Sequence, residues 1–160
     1  MARVIKPLSC YEGRDKFKIF LSGSIEMGTA EEWQDRFVKE FKKRDCIIYN
    51  PRRDDWDSSW EQKIDNEQFR QQVEWELDRI LESDLAAVYF APGTKSPITL
   101  LELGFLGGVG KQTVVYCPEG FWRKGNVDIF CRRKSVRANA TMVSSWEDFI
   151  LECARRLDEW

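Results

Sequence analysis

The stretch Leu85-Ala86-Ala87-Val88-Tyr89-Phe90, then the turn Ala91-Pro92-Gly93, then Ser96-Pro97-Ile98-Thr99-Leu100-Leu101-Glu102-Leu103-Gly104-Phe105-Leu106, decides the fold. The short unbroken apolar run reads as a strand buried on both faces, which alternating half-exposed strands do not resemble. Ser96-Pro97 places an N-cap residue before a proline at the first helical position, predicting a helix to about Leu106. Working backward, Phe17 to Leu21 is a strand ending in Ser22-Gly23-Ser24, and Thr29 with Glu32 forms a capping box. Trp33, Phe37 and Phe41 recur at helical spacing, predicting a helix to about Lys43; Cys46 to Tyr49 is a strand halted by Asn50-Pro51. Arg52 to Lys63 reads as a polar loop. From about Asn66, the stripe Phe69, Val73, Leu77, Ile80 and Leu81 marks an amphipathic helix, with Trp75 pointing away from it toward a subunit contact. Working forward, Thr113 to Cys117 is a strand and Phe121 to Asn126 a loop. A weaker strand at Thr141 to Val143 precedes a last helix capped by Ser145 with Asp148. Strand–helix alternation implies an α/β parallel sheet of about five strands with helices on both faces.

Length supports one domain over residues 1–160, with 1–16 as an N-terminal extension, since a domain runs to about 150 residues. Lys+Arg 25 against Asp+Glu 27 leaves no bulk charge for binding a nucleic acid polymer. No apolar run approaches the roughly 18 residues of a membrane span and no signal peptide opens the chain. The five cysteines are odd in number and lack CxxC spacing, so a reducing, cytoplasmic compartment is expected and no metal site. The chain has no histidine. Ser–His–Asp and Cys–His catalysis and HExxH zinc sites are therefore excluded, and acid–base work falls to carboxylates, Lys, Tyr or Cys.

Ligands of such sheets bind beyond the carboxyl ends of the strands, here Ser22-Gly23-Ser24, Asn50-Pro51-Arg52 and Ala91-Pro92-Gly93. Gly23 to Gly28 imitates the start of a phosphate loop without its Lys-Ser/Thr, so nucleoside triphosphate hydrolysis is not expected. The turn instead brings backbone N–H groups and the hydroxyls of Ser22 and Ser24 near a small ligand. Glu102 is the most informative residue: a carboxylate in a helix apolar nearly all round, expected to be buried and perturbed. Glu76 poses the same question at the edge of its helix's stripe. Asn50, Arg52 and Trp56 combine rigid turn chemistry, bidentate donors and an aromatic plate after a strand end.

In order and spacing, Ile19-Phe20-Leu21-Ser22-Gly23-Ser24-Ile25, Asn50-Pro51-Arg52-Arg53, Trp75-Glu76-Leu77 with Ser83-Asp84, Ser96-Pro97, Glu102-Leu103-Gly104 and Phe121-Trp122-Arg123-Lys124-Gly125-Asn126-Val127 resemble the nucleoside 2-deoxyribosyltransferase family. The closest branch is the nucleoside 2-deoxyribosyltransferase-like group, and the likeness spans about residues 17 to 133. It implies a flavodoxin-like (Rossmann-like) fold, no cofactor, and transfer of 2-deoxyribose between nucleobases. Glu102 matches the nucleophile that forms a covalent deoxyribosyl-enzyme. The small-molecule partners are then a nucleoside and a nucleobase, with Trp56 set against a base. A homo-oligomer with shared sites is implied, Asn126 and Asp128 matching the loop that reaches a neighbour's sugar. Three positions depart from the family pattern: Phe20 replaces a tyrosine that orients the nucleophile, Glu76 replaces an aspartate, and Ser96 replaces the aspartate that protonates the base, leaving Glu76 as the remaining candidate to deliver that proton. Glu26 stands where phosphate-hydrolysing relatives carry an arginine, which favours a free nucleoside. Hydrolysis, with water as acceptor, and a non-catalytic nucleotide-binding module on the same fold are the two alternatives.

Overall fold

The structure, a computed structural model, describes residues 1–25 and 30–160. Among these it has six strands and five helices in the order β1 (Arg3–Ile5), β2 (Phe17–Gly23), α1 (Trp33–Phe41), β3 (Cys46–Tyr49), α2 (Glu67–Glu82), β4 (Leu85–Tyr89), α3 (Pro97–Gly108), β5 (Thr113–Tyr116), α4 (Lys124–Arg132), β6 (Ala140–Val143) and α5 (Trp146–Asp158). The strands form one parallel sheet in the order β1-β3-β2-β4-β5-β6. This is the flavodoxin-like α/β arrangement, with one strand more than the alternation predicts. The extra strand is β1, which pairs with β3 from Arg3 opposite Ile47 to Ile5 opposite Tyr49. Three residues carry no readable period; a neighbouring strand edge makes them a strand.

Strand side chains alternate between two cores. Phe17, Ile19 and Leu21 of β2, Leu85, Ala87 and Tyr89 of β4, and Val114 of β5 pack against Trp33, Phe37 and Phe41 of α1 and Phe149 and Cys153 of α5. Phe20, Ile47, Tyr49, Ala86, Val88 and Val115 face the other way, onto Trp75 and Ile80 of α2, Leu103 and Leu106 of α3, and Val127 and Cys131 of α4. Both faces of β4 are thus covered, the reason its sequence is apolar without alternation.

Several local expectations change. The capping-box residue Thr29 lies outside the described residues; α1 starts at Trp33 with Glu32 at the N-cap, where its side chain makes no capping bond. Trp75 is not at the surface. It lies in the core edge-on to Tyr49, ring centroids 6.2 Å apart, and its Nε1 donates to the Ser9 carbonyl at 2.6 Å. The segment before β2 folds over α2 and supplies that acceptor, which periodicity within the helix cannot reveal. Leu77 and Leu81, read as part of the buried stripe, are exposed in consequence. Helix α3 is likewise not buried all round: it hides Thr99, Glu102, Leu103 and Leu106 but exposes Ile98 and Leu101. The loop after β5 turns at Lys124 into α4, a helix the sequence reading did not contain.

From β2 the chain passes to β3 on one side, and α2 then carries it back across β2 to β4 on the other. The connections diverge at the carboxyl ends of β2 and β4, leaving a crevice there.

Candidate active site

Ser22 is the sixth residue of β2 and shares the face of Phe20, so it points toward α3 at the mouth of this crevice. There its hydroxyl donates to Glu102 Oε2. Both residues are buried, Glu102 with 8% of its surface exposed, and no cation pairs with the carboxyl among the described residues. Burial therefore pushes the Glu102 carboxyl well above the ordinary range, the charge of Glu76 adds to the rise, and the Ser22 hydroxyl partly offsets it. Glu76 comes from α2 on the same side of the sheet. Burial raises its carboxyl too, moderated by a 2.7 Å hydrogen bond from Gln72 Nε2 to Oε1. Two carboxyls that cannot both ionise cheaply titrate as a pair, and with one proton between them the pair holds one carboxylate and one acid. That is the division of labour a nucleophile and a general acid need.

Beside this pair lies a second cluster, made of hydroxyls. Ser24 Oγ is hydrogen-bonded to Ser96 Oγ at 2.5 Å and to Thr94 Oγ1 at 3.0 Å, and accepts from the Ala91 N–H at 2.9 Å. Thr94 and Ser96 complete the triangle at 2.8 Å. Ser96 occupies the N-cap position of α3 but makes no capping bond from its side chain. Its backbone is left-handed, φ +46°, a conformation costing a non-glycine residue about 1–2 kcal/mol, and its hydroxyl bonds help hold it. Gly23 joins the two clusters. A Cβ there would stand 2.3 Å from the Trp33 ring and 2.7 Å from the Tyr89 carbonyl, so only glycine lets Trp33 pack beneath the turn. The Trp33 Nε1 donates to the Ser24 carbonyl at 3.1 Å and fixes the turn from below.

The remaining sequence candidates are distributed more widely. Asn50 is buried, and its Oδ1 accepts from the Arg52 N–H at 3.0 Å, shaping the exit from β3. Arg52 reaches across to the Glu31 carbonyl and Gln34 Oε1, both at 3.4 Å. Trp56 packs edge-on to Trp60 within its own loop, centroids 5.2 Å apart, with its indole N–H buried and without a partner among the described residues. Asn126 is exposed on the first turn of α4, and Asp128 pairs with Lys124 at 3.2 Å. Ser22, Glu76 and Glu102 are therefore brought together, and Ser24 and Ser96 beside one another. Asn126 and Asp128 instead belong to α4, where Asp128 lines a cavity of about 670 Å³ with Glu119, Arg132 and Arg137. A smaller cavity of about 410 Å³ opens at the end of β4 between Glu31, Tyr89, Pro92 and Thr94. Two polar residues of the site went unread in the sequence, Thr94 and Gln72. Gln72 had a legible signal: it stands one helical turn before Glu76 and so shares its face.

The family model described as "Nucleoside 2-deoxyribosyltransferase like" matches residues 16–121. Among solved structures, a conserved protein from Enterococcus faecalis V583 superimposes with a TM-score of 0.61 at 17% identity, covering 89% of this chain and 99% of that one. At that identity the likeness concerns the fold. No curated protein matches the chain.

Proposed function

The chain belongs to the nucleoside 2-deoxyribosyltransferase-like family, and from that premise we propose that it is an enzyme cleaving the N-glycosidic bond of a 2'-deoxynucleoside and passing the sugar to another nucleobase. The observation that carries this reading is Glu102: a buried carboxyl without a cation among the described residues, held by Ser22 and beside a second, half-buried carboxyl at the sheet's switch point. In the first step the proton shared by the pair sits on Glu76, and Glu102, ionised, attacks the anomeric carbon as the C–N bond breaks. The bond's electron pair leaves with the base, whose nitrogen takes the proton of Glu76. A covalent deoxyribosyl-Glu102 ester results. In the second step the acceptor base attacks the same carbon, Glu102 leaves as carboxylate, and the acceptor's proton returns to Glu76. Phe20 has no hydroxyl to orient the nucleophile; Ser22, one strand period further on, provides one. Ser24, Ser96, Asn50, Arg52 and Trp56 are assigned to substrate binding.

Incubation with deoxynucleosides and free bases is expected to yield exchanged nucleosides, detected by chromatography, with activity falling about 10⁴-fold or more in Glu102→Ala. A 2-fluoro-2-deoxynucleoside should leave a sugar adduct on Glu102, visible by intact mass. Absence of both exchange and adduct overturns the reading; base release without an acceptor reassigns it to hydrolysis.

The enzyme is also proposed to be a homo-oligomer. Leu77 and Leu81 of α2 and Ile98 and Leu101 of α3 are exposed on the face that carries Glu102, and a second copy would cover them and bring its Asn126 toward the site. Sedimentation equilibrium should give a dimer or larger species, and a monomer at micromolar concentration would refute it.

A further inference from the structure

Gln72 precedes Glu76 by one turn of α2 and is 4% exposed. Its Nε2 has two hydrogens and two partners: Glu76 Oε1 at 2.7 Å and the Pro51 carbonyl at 3.1 Å. The Pro51 carbonyl can only accept, so turning the amide over would set its oxygen against that carbonyl and forfeit the bond. The consequence falls on the other end of the group. Gln72 Oε1 is buried with no hydrogen-bond partner among the described residues, an uncommon state for a native side chain. The fold thus leaves a carbonyl unsatisfied to keep both N–H groups on the Glu76 side. The Pro51 bond adds a tether, tying this turn of α2 to the segment leaving β3.

We infer that Gln72 is the positioning residue of the acid: by occupying Oε1 of Glu76 it leaves Oε2 as the oxygen that carries the exchangeable proton. The inference rests on the reading of Glu76 as the group that protonates the leaving base. As the C–N bond breaks, the proton on Oε2 passes to the base nitrogen and Glu76 becomes a carboxylate. The bond from Gln72 then turns charge-assisted, stronger in the product of the proton transfer than before it. From α3, the titratable group that faces Glu76 is Glu102; from its own helix, Gln72 is the polar contact. From β2, the Ser22 hydroxyl is spent on Glu102. With no cation acting on Glu76 among the described residues, the amide is what favours its ionised form.

The test needs no substrate. Carboxyl ¹³C shifts of glutamate-labelled protein are titrated, with the Glu76 resonance assigned by its loss in Glu76→Gln. In Gln72→Met, and in Gln72→Asn where the amide is drawn back by one methylene, the Glu76 midpoint should rise by roughly half a pH unit or more, since a bond to the charged form has been removed. Folding of each variant is checked by circular dichroism, and either folded variant suffices. A midpoint that stays or falls in a folded variant overturns the inference. If the wild type turns over deoxynucleosides, the alkaline limb of kcat/KM should move up in the same variants, which a merely structural role for Gln72 would not produce. The two readings fail separately: a raised midpoint in a chain without activity refutes the proposed reaction and leaves Gln72 in place. An unmoved midpoint in an active chain does the reverse.

Discussion

Glu76 and Glu82 lie on the same helix, less than two turns apart, and their surroundings are opposite. Glu82 accepts from Lys18 Nζ and the Tyr49 hydroxyl, both at 2.7 Å, and pairs with Arg79 at 2.9 Å. Burial alone would raise its carboxyl, but the bonds from Lys18 and Tyr49 and the charge of Arg79 prevail and hold it below the ordinary value. Glu76 has one neutral amide donor and another carboxyl for company, and is held above it. The contrast separates a carboxylate whose charge the fold stabilises from a carboxyl whose charge the fold disfavours.

The largest effect expected from breaking that contrast is catalytic. Glu76→Gln should lower kcat by roughly 10²–10⁴-fold, the usual range for loss of a general acid, with the alkaline limb of the pH profile removed as well. Steady-state kinetics on a substrate with a good leaving base, which needs little protonation, should recover most of the loss.

Smaller effects concern stability and carry opposite signs. Glu82→Gln takes the anionic partner from Lys18, whose side chain is 10% exposed, and should destabilise by about 2 kcal/mol, roughly 4–8 °C in Tm. A lowered carboxyl contributes stability above its unfolded pKa and loses it as pH falls, so the gap between variant and wild type should close in acid. Glu102→Gln, the smallest of the three, should raise Tm at pH 8 by a few degrees, about 1–2 kcal/mol. The folded state holds the Glu102 proton more tightly than the unfolded state does. The stability linked to that proton is therefore complete below the ordinary carboxylate range and lost as pH rises through the raised value. The advantage of Glu102→Gln should accordingly grow from pH 5 to pH 8, as read by thermal melts. A flat or reversed trend would mean that Glu102 is not held at a cost.

Much of this was legible before any coordinates. Phe17 to Leu21, Cys46 to Tyr49 and Leu85 to Phe90 were readable as strands because a buried strand must be apolar over its few residues. Ser145 was readable as a cap because a helix start leaves N–H groups needing an acceptor, and its side chain supplies it to Asp148; Asn66, read only as the start of its helix, does the same for Phe69. Ser96 has the same chemistry and does not cap, because Ser24 and Thr94 compete for its hydroxyl from other parts of the chain. Trp75 and Leu77 exchange inside for outside for a similar reason. The rotation of α2 is settled by what packs on it, Ser9 and Pro51 included, rather than by its own stripe.

By itself, then, the sequence determined the order of the strands and helices apart from β1 and α4, the end of the sheet where a ligand would bind, and the oddity of a carboxylate at position 102, since each follows from local period, turn chemistry and solvation. Only the tertiary structure decided that Ser22 and Glu76 are the neighbours of that carboxylate, that Gln72 holds Glu76, and that Leu77, Leu81, Ile98 and Leu101 face outward. Those outcomes depend on how helices are rotated against the sheet, and that rotation is fixed by contacts between residues far apart in the chain.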